Sequence, residues 1–389
     1  MAEKKKTVES QEGWELANDV VSLHVTQLGG MMSAVRFDRT SASPFEPYYI
    51  SPWQNEKRDD IDDPVLVPLR GDFFCMPFGA VNRYKGEQHN PHGEPATARW
   101  NFEKLDSSEA GGKRVHTLEL SMQTKERPGT VTKRVSLIDG QNVIYLQHVL
   151  DGYDGPMPLG HHATLKGSEE EGTIRISSSP FRLGLTAPKA ADYTQGGEYY
   201  ALAELGEFTS LDEVPTVWSK HPTTDIGRFP NRRGFVDIAA VYKEPSKEPA
   251  WMAALFVEER YLWFTLKDAG VLPATVFWME NFGRHQPPWD GRNCCLGLED
   301  VCGYFAQGLT ESAEDNAVSL RGIPTVARLS AEKPTAVNYI QGAVRVSDDF
   351  DGVASVDFDS DRVRFIAHSG ATAEASVKLD YLSSGRLGF

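Results

Sequence analysis

Side chains able to move protons or grip a polar ligand concentrate in four stretches far apart in the chain. In PLGHHATL, Pro158 to Leu165, two adjacent histidines, His161 and His162, open an apolar run. On a strand they point to opposite faces, so at most one of them faces a given cleft. In FWMENFGRHQPPWDGRNCCLGLED, Phe277 to Asp300, Trp278 and Trp289 offer flat rings of the kind on which the C–H faces of a sugar stack. Glu299 lies in a strand-like apolar run, Cys294–Val301. A carboxylate there is paired, exposed at an edge or functional, and burial would lift its pKa toward the range useful for a base.

The other two stretches are richer in cations and imidazoles. PLRGDFFCMPFG, Pro68 to Gly79, carries Arg70 and is followed by Arg83. A guanidinium fork suits hydroxyls, carboxylates and phosphates, and equally suits a surface ion pair. HNPHGEPATARW, His89 to Trp100, holds His89, His92 and Glu94, the residue types of a metal site. Pro91 and Pro95 make that segment a rigid loop rather than a helix, so the spacing does not put the three on one face. Arg284, next to Gly283 and ahead of a Pro-rich loop, is a further candidate for lining a cleft, whereas His221 and His285 read as ordinary loop histidines.

The elements that must position these groups are strands. Val21, Leu23 and Val25 alternate with polar neighbours, as do Leu118, Leu120 and Met122, and Val377, Leu379 and Tyr381, while Tyr261, Trp263 and Thr265 lie opposite Leu262, Phe264 and Leu266. Period-two patterning puts successive side chains on opposite faces of a sheet. Longer apolar runs at Asn142–Leu150, Phe235–Tyr242, Trp251–Val257 and Ala274–Met279 suit central strands covered on both faces. Asp-Gly turns at 139–140 and 151–152 separate them. Helical signals are confined to two turns at Glu198–Leu205 and a short surface helix within Thr310–Ser319. The pattern predicts an all-β fold, a large antiparallel β-supersandwich over residues 1–330. The stretch 331–389 supplies further strands of the same domain or a small appended sheet.

Composition narrows the partners. With 389 residues and 40% hydrophobic content the chain can bury a substantial core, and a formal net charge of −15 repels phosphate backbones and anionic membranes. Nucleic acid and membrane are therefore not expected partners. The residues after Met1 are polar, with no signal-peptide core, and no run approaches the ~20 apolar residues of a membrane span. The four cysteines, Cys75, Cys294, Cys295 and Cys302, lack paired zinc spacings and read as free thiols of a reducing, cytoplasmic compartment.

Taken in order, Arg-Gly…Pro-Phe-Gly (70–79), His-Gly (92–93), Gly-x-His (160–162) and Gly-Leu-Glu (297–299) resemble the galactose mutarotase-like superfamily, which includes aldose 1-epimerases and hexose-6-phosphate 1-epimerases. The likeness spans about Leu69 to Tyr304 and is nearest to the branch with Arg-Gly-Gly and Pro-x-Phe-Gly segments. It implies a β-supersandwich with an open sugar cleft. It also implies that His162 is the general acid, Glu299 the general base, and His92 a residue holding the ring-oxygen region. Arg70 and Arg83 would contact substrate, alongside Trp278, and the partner would be a small-molecule carbohydrate. The chain departs from the pattern at Asp72 (second glycine), at Thr164-Leu165 (an aromatic pair) and at Asp300 (proline). The family's substrate-binding aspartate has no secure match, with Asp225 and Asp237 the candidates.

The resemblance implies anomer interconversion by acid/base ring opening, which needs no metal or organic cofactor. Two other readings use the same residues. One is a non-catalytic sugar-binding protein on the same scaffold. The other is a metal-dependent sugar isomerase or lyase built on His89, His92, Glu94 and His161.

Overall fold

The computed structural model describes residues 4–80, 82–188 and 198–387. Among them, two large antiparallel sheets, of eleven and nine strands, stack face to face, as the alternating pattern predicts. Five strands form the middle of the larger sheet: β1 (Asp72–Cys75), β2 (Leu159–Lys166), β3 (Phe235–Tyr242), β4 (Ala274–Asn281) and β5 (Cys294–Cys302). Their spatial order is β1-β2-β5-β4-β3. All of their residues are buried except Phe235, Ile238, Cys294 and Lys166, because both faces of this sheet are covered.

Alternation divides each of these strands between two compartments. Phe74, Ala163, Leu165, Ala239, Val241, Phe277, Met279, Leu296 and Leu298 face the second sheet and meet Leu118, Leu120, Ile144, Leu146, Trp263 and Tyr339. Phe73, Cys75, Val236, Ala240, Val276, Trp278, Cys295 and Val301 face the other way, under loops that carry Trp53, Val65, Leu69 and Trp289. Burying each large apolar side chain is worth ~1.5–3 kcal/mol, so the two faces together fix the register of the sheet.

Residues 331–389 divide between the two alternatives left open by the sequence. Thr335–Arg345 is a central strand of the nine-stranded sheet, paired with Tyr261–Lys267 and Val143–Asp151. Val353–Asp359, Arg362–Ala367 and Thr372–Ser376 form a separate three-stranded sheet. Its Val363 and Phe365 cover Phe264, Leu262 and Trp251 on the outer face of the second large sheet.

Three local expectations need correction or refinement. Residues 198–205 are irregular rather than helical, with an isolated bridge at Leu202 and a turn at 204–205, because the backbone N–H groups of Ala201 and Leu202 are taken by the Asp237 carboxylate at 2.8 and 3.0 Å. Val377–Tyr381 is not a strand; the chain turns there into the short helix Tyr381–Ser384, whose Tyr381 is buried against Tyr145. Within Thr310–Ser319 the helix is a single turn and a half, Leu309–Ala313. All four cysteine thiols are free, and no helix of the described residues is long and apolar enough to cross a membrane.

Candidate functional site

His162 on β2 and Glu299 on β5 are direct cross-strand partners. Both belong to the set of alternate positions that faces away from the second sheet, so their side chains emerge side by side. His162 Nε2 lies 3.2 Å from Glu299 Oε1, and His162 Nδ1 meets Thr164 Oγ1 at 3.1 Å. Thr164 is two residues along the same strand and therefore on the same face. The two groups that the resemblance singled out, 137 positions apart in the chain (299 − 162), meet within proton-transfer reach.

They open into a cavity of about 370 Å³, near the lower end of the ~300–1,000 Å³ usual for ligand pockets. Its walls are aromatic. Phe73 stacks on His162 with centroids 4.5 Å apart, Trp278 stands edge-on to His162 at 5.8 Å, and Trp289 meets Trp278 at 5.8 Å. Two of these residues follow from alternation: Phe73 on β1 and Trp278 on β4 share the face that carries His162 and Glu299, and Trp289 comes from the loop between β4 and β5. Ile238 on β3 closes one side, and Leu66, Leu69 and Ala306 come from loops.

His92 enters from the loop that follows β1. Its backbone is left-handed (φ 59°, ψ 7°), and its N–H and C=O are anchored to Gly79 and Met76 at 2.7 and 3.2 Å. Gly93, also at positive φ, must be glycine, since a Cβ there would stand 1.9 Å from the Met76 carbonyl. The His92 ring sits 5.0 Å from that of His162, at right angles to Phe73. Gly297 is the second glycine that the site demands. A Cβ would lie 2.5 Å from Glu299 Oε1 and 3.0 Å from Trp278 Cβ, so the Gly-Leu-Glu spacing is what gives the carboxyl and the indole their room.

Burial sets the protonation states. Glu299 is 2% exposed, and loss of solvent holds its pKa well above the usual carboxylate range, with Arg284 the opposing influence. Burial, reinforced by His92, depresses His162 well below the ordinary imidazole value. Burial and then Arg284 lower His92 to about 4. Burial thus favours the protonated form of the Glu299 carboxyl and the neutral forms of both imidazoles. Arg284 is a permanent cation on the cavity wall. Its guanidinium lies 5.2 Å from the Trp278 ring and 4.8 Å from the Trp289 ring. Glu198 pairs with it at 2.6 Å and Glu280 at 3.4 Å. Burial pushes Glu280 up to about 7 despite Arg284 and two backbone N–H donors.

The motif departures fall into place by the same parity. Asp72 and Asp300 point between the sheets, away from the cavity. Asp72 takes a contact from His161 Nδ1 at 3.0 Å. Burial alone would raise Asp300, but Lys267 at 2.5 Å, with Thr275, Tyr339 and Thr265, holds it below the usual range. Of the three departures, Thr164 alone reaches the site.

Arg70 does not reach the cavity. It is fully buried, and its guanidinium donates to the carbonyls of Pro68, Val8 and Glu9 and to Gln54, pinning the N-terminal strand to the sheet. Arg83 is exposed on Asn82–Tyr84, and neither it nor Arg70 is among the residues that line the cavity. Asp237 is spent on the backbone of residues 201–202 and on Arg232, and Asp225 on Gly227 and Arg228. The residues of the metal alternative are dispersed. His89 pairs with Glu87, Glu94 accepts from the backbone of Lys125 and Glu126, His161 lies between the sheets, and His92 alone of the four lines the cavity. Arg284 and Trp289, noted in the sequence, do line it. Phe73, Asp63, Thr164 and Glu280 were not singled out for the site. Parity with His162 and Trp278 would have indicated Phe73, Thr164 and Glu280 once the strand registers were known.

No known family model matches the chain, and no curated protein does. Solved structures do. A protein provisionally described as a mutarotase (YeaD), from Salmonella typhimurium, superposes with a TM-score of 0.55 at 10% identity, over 88% of this chain and 93% of that one. A provisionally assigned aldose 1-epimerase from Klebsiella pneumoniae gives 0.58 at 12%, covering 86% and 79%. Another from Escherichia coli K12 gives 0.52 at 11%, covering 86% and 99%. The architecture that places His162 beside Glu299 is the galactose mutarotase-like fold.

Proposed function

We propose that this protein is a carbohydrate epimerase that interconverts the anomers of an uncharged aldose. The observation that carries the proposal is the His162–Glu299 pair, 3.2 Å apart on one wall of a cavity whose other walls are tryptophan and phenylalanine. Ring opening takes the proton from the anomeric hydroxyl and gives one to the ring oxygen as its bond to the anomeric carbon breaks. Rotation about the C1–C2 bond and reclosure return both protons. The catalyst must therefore start with one group loaded and one empty, and a pair that shares a single proton meets that requirement. Burial favours the proton on Glu299. Transfer across the 3.2 Å contact loads His162 instead, and Arg284 favours that form by stabilising the carboxylate. Glu299 is then the base and His162 the acid, and the roles exchange on reclosure.

An uncharged sugar is supported by the charge balance. Among the described residues that line the cavity, Arg284 is the permanent cation, and Glu198 and Glu280 already face it. Arg70 and Arg83, the groups that could have gripped a phosphate or uronate, lie elsewhere. Trp278 and Trp289 supply the stacking surface, and His92 and Arg284 supply hydrogen-bond donors.

Proton NMR of freshly dissolved aldoses, with and without the protein, tests the proposal. Acceleration of anomer exchange that E299Q abolishes while ligand-induced shifts persist is the expected outcome. Sugar binding with no acceleration by the wild-type protein would replace the enzyme with a binding protein. Faster exchange of sugar phosphates than of the parent sugars would overturn the charge argument.

A further inference from the structure

Cys75, which no step above uses, points from β1 into the wall behind His92, with Sγ 3.3 Å from His92 Nδ1. On its cavity side the imidazole faces the His162 ring at 5.0 Å, and its other ring neighbours are phenylalanines. Phe73 and Phe78 present ring contacts at 5.9 and 5.4 Å. The left-handed backbone of His92 is anchored at both N–H and C=O, which fixes the point from which the ring projects. Nδ1 faces the thiol, which leaves Nε2 as the ring nitrogen available to the cavity.

We propose that Cys75 is a positioning residue whose S–H donates to His92 Nδ1, locking His92 in the Nε2–H tautomer and making it a dedicated hydrogen-bond donor to the bound sugar. The inference rests on the reading of the cavity as a sugar site. Two physical facts select the direction of the bond. Sulfur is a poor acceptor, whereas the unprotonated nitrogen of a neutral imidazole is a good one. If Nδ1–H donated to sulfur instead, the bond would run to the weaker acceptor of the two and would turn an unprotonated Nε2 to the cavity. Burial keeps Cys75 a thiol, since it raises its pKa well above the ordinary value, and burial keeps His92 neutral. A donor at Nε2 cannot serve as a base, so proton transfer stays with His162 and Glu299, and His92 binds without competing for the shared proton.

Nitrogen-15 NMR of the histidine side chains, with His92 assigned by comparison with H92N, reads the tautomer directly and needs no substrate. The wild-type protein is expected to show an unprotonated Nδ1 and a protonated Nε2. C75S, which keeps a donor, should preserve that pattern. C75A should mix the two tautomers and raise KM up to about tenfold, the equivalent of one neutral hydrogen bond, with kcat and its pH profile little changed. A protonated Nδ1 in the wild-type protein, or an unaltered tautomer in folded C75A, overturns the proposal. Because the wild-type spectrum decides the first point, failure of a variant to fold leaves the test intact. Failure of the epimerase reading would show separately, as absent turnover with the tautomer still as stated.

Discussion

Replacing Glu299 with Gln is expected to abolish turnover and to stabilise the protein with a distinctive pH dependence. For activity, positioned proton transfer contributes ~10²–10⁴ in rate, about 2.7–5.5 kcal/mol of barrier, and the amide supplies none of it. For stability, the unfolded carboxyl ionises near 4.5, whereas in the native protein burial holds the proton on Glu299 to a much higher pH. Between those two values the native state binds one more proton than the unfolded chain. The stability of the wild-type protein therefore falls as pH rises through this interval, by about 1.4 kcal/mol per pH unit for this group. His162 contributes with the opposite sign, because its pKa is depressed, but only below 6.5. It is present in both proteins, as is Glu280. The difference in unfolding free energy, E299Q minus wild type, should accordingly grow by about 1.4 kcal/mol per unit from near pH 4.5 upward. Urea titrations of both proteins at several pH values from 5 to 8, with kcat/KM measured in the same buffers, give the two curves. A difference that is flat or falls with pH would mean that Glu299 is ionised in the folded protein. The protonated pair on which the mechanism depends would then be wrong.

Further outcomes follow from the same geometry. The pH profile of kcat/KM should be a broad plateau, because turnover ends only when His162 gains a second proton, below 6.5, or Glu299 loses its own, far above the carboxylate range; an acid limb at the ordinary imidazole pKa would contradict this. G297A, which puts a methyl 2.5 Å from Glu299 Oε1, should lose most activity while the protein stays folded by circular dichroism. R284M should lower kcat/KM by about ten- to a hundredfold, whereas R70M should leave kcat/KM unchanged and cost ~1–3 kcal/mol of stability by orphaning the carbonyls that Arg70 satisfies, as read from urea midpoints. K267M, which leaves Asp300 charged and unpaired between the sheets, should destabilise by ~3–5 kcal/mol with little change in the kinetics of the surviving folded protein.

The sequence by itself determined the class of fold and singled out the two residues, His162 and Glu299, that are proposed to react. Strand-length runs such as the period-two Tyr261–Leu266 and the continuously apolar Ala274–Met279 are local consequences of burial on a sheet, so they survive in the one-dimensional text. The motif glycines survive for a similar reason. Gly93 and Gly297 are forced by contacts within a few ångströms that no other residue type tolerates. What the sequence left undecided was which face each strand turns to which neighbour. Arg70 and Asp237 carry the chemistry of a sugar site but spend it on backbone groups, because the register sets them against the N-terminal strand and residues 201–202. Asp72 and Asp300, which break the motif in the text, leave the cavity untouched, since one step along a strand moves a side chain to the other side of the sheet. Only tertiary structure brought Cys75 to the back of His92, Thr164 to His162, and Arg284 between two tryptophans and two glutamates. Those contacts depend on strand order and loop path, and these are fixed by the packing of the whole sandwich rather than by any local run of residues.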